Sequence, residues 1–457
     1  AATAAALAGC SLPPPYPPPA TPVQPDFTEQ GTWTPAAPAD AQARGRWWAM
    51  FSDPVLDDLE ARADRANPSL AAAVAAYDQA RALAAQARAG LVPEIDGTAT
   101  TQRQRRSDNA PLRVGGPDAY STNQVGASAA YEIDLWGRLR NLAAGAGDRA
   151  QASEADLRSM RLSLQADLAD DYLSLRGLDA QLRLLQATVA AYARALELTR
   201  ILHSGGAATG LDVGRAQTQL STAKAQLTDL TAQRALLEHA IAALVGESAS
   251  AFTLAPTDAA LPQPKVAVSA PSTLLQRRPD IAAAERRAAA ANADIGVARA
   301  ALFPALTLDG SAGWQTAGGI DLLSAPNTFW MVGPQLVGAI FDGGRRRAGV
   351  RASRAAFEQA SANYRGVVLN AFRDVEDQMA LANRLAVEAG DQGEAVTAAR
   401  RTEALANIRY RQGVATYLDV VTAQTAALTA EQAAIQLNTR RLQASVNLTR
   451  ALGGAWT

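Results

Sequence analysis

Groups able to do covalent or metal chemistry are few in this chain and poorly placed for it. The only two histidines, His203 and His239, stand far apart and without cysteine companions, which argues against a zinc site. Asp170 and Asp171 suggest paired acids, but neighbouring helix positions point about 100° apart and no nucleophile accompanies them. Gly343 and Gly344, followed by Arg345, Arg346 and Arg347, lack the lysine and spacing of a Walker motif and read as a basic turn where strand becomes helix. No enzyme is indicated and no cofactor is required. What remains is a pair of aspartates, Asp212 and Asp419, each in a turn ahead of a helix, where a carboxylate can cap free amides.

The two aspartates belong to one motif that occurs twice. His203 to Val213 reappears as Tyr410 to Val420 about 207 residues later, so that Gly206 matches Gly413, Asp212 matches Asp419 and Ala216-Gln217 matches Ala423-Gln424. The same offset carries Gly137-Arg138 onto Gly344-Arg345, and a slightly longer one carries Asn67-Pro68 onto Arg278-Pro279 and Pro93 onto Pro304. Two equivalent halves are therefore expected: 46–250 and 278–457, joined by a linker at 251–277.

The 457 residues carry a net charge of −1, which leaves no electrostatic footprint for nucleic acid. No apolar run reaches the roughly 20 residues of a transmembrane helix, so any crossing of a membrane must use strands. The single cysteine, Cys10, excludes an intramolecular disulfide. It ends the run Leu7-Ala8-Gly9-Cys10 after small apolar residues, which resembles the tail of a bacterial lipoprotein signal peptide. On that reading 1–9 are a signal remnant, Cys10 is lipidated, and the proline-rich stretch within 10–45 is an extended tether.

Each half then changes periodicity from helical to alternating. Asp57 to Gly90 reads as helix with a restart at Asn67-Pro68, and Pro279 to Leu302 is its counterpart. Val125, Ala127, Ala129, Tyr131, Ile133 and Leu135 alternate with polar residues, Leu306 and Leu308 do the same, and Trp330, Val332, Leu336 and Ile340 share a parity within Phe329 to Phe341. The partner segment Ile95 to Arg106 is basic in its second half and alternates least well. Hairpins are thus expected at 95–136 and 305–342, with loops at Ser107 to Thr122 and Thr316 to Thr328. Strands of about 10 to 13 residues suit a tilted crossing of a bilayer, but four cannot close a barrel. The barrel must be shared: two chains would give eight strands, three would give twelve, and sequence physics leaves that choice open.

The helices carry heptads. Leu157, Leu164, Asp171, Leu178, Leu185 and Tyr192 interleave with Leu168, Leu175, Leu182, Val189 and Leu196, and a second seam runs from Val213 to Leu244 with Arg234 inside it. A helix of some 60 residues, on the order of 90 Å, must extend away from a membrane, and the turns at Ser204 to Gly210 and Arg411 to Thr416 reverse the chain at its far end.

Taken together, Leu7 to Cys10, Trp47-Trp48 with Phe51, Asp53-Pro54, Arg277-Arg278-Pro279-Asp280-Ile281, Phe341-Asp342-Gly343-Gly344-Arg345 and Gly413 to Val420 resemble the outer-membrane factors of tripartite efflux systems, the TolC and OprM class, in its NodT-like lipoprotein branch. The resemblance implies a mainly α protein with membrane β: a homotrimer whose twelve-stranded barrel continues into a periplasmic helical barrel. It implies passive export from the outer membrane, a periplasmic adaptor protein, and an inner-membrane transporter of the resistance-nodulation-division class. A third layer at the tunnel's waist is implied too, with the N-terminal segment and Phe252 to Leu275 as candidates. By the same resemblance Asp212 and Asp419 would line a periplasmic gate with Tyr410, Arg411 and Tyr417, and a trimer would crowd six carboxylates there, which raises their pKa and attracts cations. Ala415 stands where one relative has arginine, so the closing network is expected to differ. Gly206, Gly413 and Val414 would meet the adaptor. The competing reading is a lipid-anchored periplasmic coiled-coil scaffold, which leaves the membrane-length strands unexplained.

Overall fold

A computed structural model describes residues 14–16, 45–107, 109, 119–257, 259, 261–264, 277–318 and 321–454. Cys10 lies outside the described residues, as do most of the tether and residues 265–276. The elements run α1 (Pro54–Ala66), α2 (Pro68–Ala89), β1 (Glu94–Arg105), β2 (Ala119–Ile133), α3 (Arg138–Ser204), α4 (Gly210–Leu244), α5 (Pro279–Ala300), β3 (Ala305–Thr316), β4 (Thr328–Val337), α6 (Arg345–Arg411) and α7 (Tyr417–Ala451). Helices α3 and α6 are each 67 residues long, and α4 and α7 each 35. Among the described residues no helix is long and apolar enough to cross a membrane. The chain divides into two compact units, one of residues 1–20, 76–154 and 283–365, the other of 21–75, 155–282 and 366–457.

Among the described residues the first unit contains one antiparallel sheet in the order β1-β2-β3-β4. Its register sorts the side chains by face, because directly paired residues point the same way. One face carries Ile95, Ala129, Gly310 and Val332 in a row, then Tyr131, Leu308 and Pro334, then Ile133, Leu306 and Leu336. The other carries Glu94, Ala130, Asp309 and Gly333, and next to it Asp96, Ser128, Ser311 and Met331. At the helix-proximal end Trp136 stacks on Phe303 at 4.6 Å and donates its indole N–H to the Pro304 carbonyl at 2.8 Å. Asp134 caps α3 by accepting from the amides of Leu139 (3.1 Å) and Arg140 (2.9 Å), and Asp342 does the same for α6 through Gly344 and Arg346.

The sheet corrects three boundaries. β1 is regular through its basic half, because β2 starts at Ala119, six residues earlier than the alternation at Val125, and pairs with it as far as Arg105. β2 ends at Ile133, so Leu135 falls in the turn before α3. β4 stops at Val337, short of Ile340 and Phe341: its partner β3 begins at Ala305, and the preceding Pro304 has no amide to offer and packs against Gly338.

The second unit holds the main core. Leu164, Leu168 and Leu175 of the first heptad are buried together with Trp47, Trp48, Phe51, Leu56, Leu59, Phe252 and Leu254. The N-terminal segment and the residues after α4 thus cover α3 on a second face, which is why Ala166, Ala169, Tyr172 and Leu173, off the seam, are buried too. A chain of polar contacts fixes this cover. Arg234, inside the second seam, donates to Asp179 (2.7 Å), Glu238 (3.1 Å) and the Leu254 carbonyl (2.6 Å). Arg176 reaches Asp179, the Ala255 carbonyl and the Tyr172 hydroxyl, which itself donates to Asp53 at the N-terminus of α1.

The two Xaa-Pro restarts make comparable ties. Asn67 donates its amide to the Leu244 carbonyl at the end of α4 (2.8 Å), and Arg278 donates to the Ala451 carbonyl at the end of α7 (3.2 Å). Gly246, just past α4, lies against the Ala66 backbone, and Gly453, just past α7, against that of Arg277. Both glycines have positive φ, 75° and 83°.

Candidate functional site at the helical tips

Two chain reversals of one design carry every expected gate residue. α3 ends in a turn where Gly206 has φ 77°, and α6 in one where Gly413 has φ 75°. In the first, Ala207 N–H donates to the Leu202 carbonyl (2.8 Å); in the second, Val414 N–H donates to Arg409 (3.0 Å). That six-to-one bond closes a helix only when the residue before the donor is left-handed, which glycine reaches without strain. Space around both glycines is open, and Val414 is exposed.

Each reversal then starts a helix with a reciprocal cap. Thr209 Oγ1 accepts from the Asp212 amide (3.2 Å) while Asp212 Oδ2 accepts from the Thr209 amide (3.1 Å); Thr416 and Asp419 repeat this at 3.3 and 2.8 Å. The carboxyl of Asp419 is held below the usual aspartate range, chiefly by the Thr416 hydroxyl and amide, with Arg409 nearby. Arg215 stands 3.7 Å from Asp212. Arg411 is exposed at the end of α6.

The two tyrosines sit differently from the aspartates. Tyr410 and Tyr417 face each other with ring centroids 5.5 Å apart. Tyr417 is buried in a core with Leu185, Tyr192, Leu196, Leu220 and Val420, against which Tyr410 packs half-buried. Burial pushes both phenols up, and the Asp212 carboxylate adds to the shift. Beside this core, between α4 and α7, runs an open groove of about 690 Å³ bordered by Leu211, Gly214, Leu418, Val421 and Leu428.

Thr209 and Thr416 were missed as cap partners, although the Thr-x-x-Asp spacing marks a capping box. Leu211 and Leu418, exposed beside the aspartates, carry no such signal. Among the described residues no group of His, Cys, Asp and Glu is arranged to hold a metal.

The model of the family described as "Outer membrane efflux protein" matches residues 60–247 and 270–454. The chain belongs to the outer membrane efflux protein family. It is 36% identical over 429 residues to the pyoverdine export outer membrane protein OpmQ of Pseudomonas aeruginosa, covering 92% of this chain and 90% of that one. It is 34% identical over 466 residues to the toluene efflux pump outer membrane protein TtgF of Pseudomonas putida, covering 100% and 96%. The solved outer-membrane channel OprN superposes with a TM-score of 0.90 at 30% identity, over 98% of this chain and all of that one. As a member of this family the chain is an outer-membrane efflux channel protein that extends into the periplasm, and the tips described above terminate its long helices. Members of the family are channel proteins rather than enzymes.

Proposed function

We propose that three copies of this chain enclose one exit duct, each contributing the four strands of its sheet to a twelve-stranded barrel and its two helical hairpins to a periplasmic tunnel. The carrying observation is the sheet itself: one apolar face, one face that carries Glu94, Asp96, Glu132 and Asp309, and two edges, β1 and β4, that have no strand partner among the described residues. Open edges are not tolerated in lipid, so neighbouring copies must supply the missing ladders. The halves 46–250 and 278–457 act as two structural repeats. This division is supported by the equal helix lengths, the paired tips, and the matching ties of Asn67 and Arg278 to the ends of α4 and α7.

Export is passive and directed by an inner-membrane transporter of the resistance-nodulation-division type, coupled through a periplasmic adaptor that docks at Gly206, Gly413 and Val414. Small molecules are the cargo, in line with relatives named for pyoverdine export and toluene efflux. Cys10 carries a lipid that holds the N-terminus at the membrane. The gate is formed by Asp212, Asp419, Tyr410, Arg411 and Tyr417, with the aspartates serving both as caps and as a cation-attracting ring.

Single-channel recording in planar bilayers tests the gate. Wild-type channels should show block by divalent cations from the periplasmic side, and Asp419→Asn should weaken the block at least several-fold while keeping an acceptor for the Thr416 amide. Unchanged block in Asp419→Asn and Asp212→Asn together would remove the aspartates from the gate. A protein that never conducts and is released from membranes by salt would instead favour the scaffold reading.

A further inference from the structure

The strand register carries a second message at the end of the sheet far from the helices. On the apolar face, successive rows climb from Ile133, Leu306 and Leu336, through Ile95, Ala129, Gly310 and Val332, to Ala127, Ala312 and Trp330, and then to Ala99, Val125, Trp314 and Thr328. From the Leu306 row to the Trp314 row the strand advances eight residues, about 27 Å, or roughly 20 Å along the membrane normal for strands tilted about 40°. That approaches the apolar band of an outer-membrane barrel, about 25 Å tall, and tryptophan at its upper rim is the usual interfacial marker.

The chemistry changes above that rim. The next row on the same face is Thr101, Asn123 and Thr316; then come Arg103 opposite Ser121, and Arg105 opposite Ala119. Both arginines lie on the exposed strand β1 and share the parity of Ile95 and Ala99. The opposite parity carries Gln102, Gln104 and Tyr120 instead, joined by a Gln104 to Tyr120 hydrogen bond. Arg106 stacks over the Tyr120 ring at 5.6 Å. Arg103 has no ion-pair partner among the described residues, and its row and the one beneath contain no acid.

Resting on the reading of this face as the lipid-facing one, we propose that Arg103 and Arg105 form a binding site for the phosphate groups of the glycolipid in the outer leaflet of the outer membrane. Four arguments support it. The pair continues the lipid face upward instead of lining the polar lumen. Arg103 stands four residues above the tryptophan row, about 13 Å along the strand, and a long guanidinium side chain bending back toward the bilayer brings its head to headgroup height. Guanidinium pairs with phosphate in a bidentate fork, which an ammonium or an amide cannot reproduce. The threonines, asparagine and serine around the arginines are suited to sugar hydroxyls.

The test uses the full-length protein in detergent, titrated with bisphosphorylated lipid A, its dephosphorylated form, phosphatidylglycerol and inorganic phosphate. Bisphosphorylated lipid A should bind at least tenfold more tightly than its dephosphorylated form, and Arg103→Gln combined with Arg105→Gln should erase that difference, whereas Arg81→Gln in α2 should not. The single variant Arg103→Gln should lose part of it and serves if the double variant misfolds. Equal binding by the double variant and wild type overturns the site. Phosphatidylglycerol binding as tightly as lipid A, or displacement by millimolar inorganic phosphate, overturns its assignment to glycolipid. Quenching of Trp314 and Trp330 by brominated lipid, read against the variant with both replaced by phenylalanine, reports separately on the face: quenching with no arginine effect sinks this inference alone, and absent quenching sinks the reading beneath it.

Discussion

Asp212 and Asp419 each commit one carboxylate oxygen to the amide three residues back, so the residues proposed for the gate are also structural ones. Removing only the partner hydroxyl separates the roles. Thr416→Ala should cost the second tip about 1 kcal/mol and speed amide exchange around 412–420 without removing the negative charge. Glu60 presents a different problem. It lies on the buried face of α1 with Leu56, Leu59 and Ala63, neither carboxyl oxygen finds a partner among the described residues, and burial first, then Asp64 and Asp57, push its pKa up to about 9. A carboxyl whose folded value exceeds its unfolded one is favoured as the acid. Its contribution is complete below the unfolded carboxylate range and is lost as pH rises through about 9. Glu60→Gln should therefore raise Tm relative to wild type at pH 8, with the gap closing toward pH 5; a constant gap would place the effect in packing. The tip aspartates could be found from the repeated spacing, whereas Glu60 could not, since nothing in an acid's type announces that its helix face is covered.

At the scale of elements, the seven-residue period located α3 correctly because the seam it describes is a real packing surface: Leu164, Leu168, Leu175, Leu185, Tyr192 and Leu196 are all buried. It could not foresee that Trp47, Phe51 and Phe252 cover α3 from another side, since contacts between segments so distant in the chain leave no local period. Arg234, which the spacing places inside the second seam without a role, is the hub that ties α4 to Asp179 and to the chain around Leu254. Arg234→Leu should leave the buried Asp179 carboxylate to Arg176 alone and destabilise the protein by about 2 kcal/mol in urea unfolding, and adding Arg176→Leu, which strands the carboxylate, should cost more than the two single losses summed. The strands show the same limit: β1 is held through Arg103 and Arg105 by its ladder with β2, which outweighs a composition that alternates poorly.

For the whole molecule, the duplication was plain in sequence, but the number of copies was not, because on the proposed reading the strand partners of β1 and β4 belong to other chains. The sheet offers β1 and β4 as complementary antiparallel edges, and in a trimer each β1 would meet a neighbour's β4. Val332→Pro, which removes one edge amide in mid-strand, should abolish the sodium-dodecyl-sulfate-resistant oligomer while leaving helical content by circular dichroism nearly unchanged. If the barrel is shared between copies as proposed, the two open edges also dictate an order of events during biogenesis. A lone subunit entering hydrocarbon would drag two rows of unsatisfied amides and carbonyls with it, so subunits must find one another in the periplasm, or at the moment of insertion, and cannot trade places afterwards. A defective allele expressed beside a healthy one would consequently poison mixed assemblies irreversibly instead of being diluted by exchange.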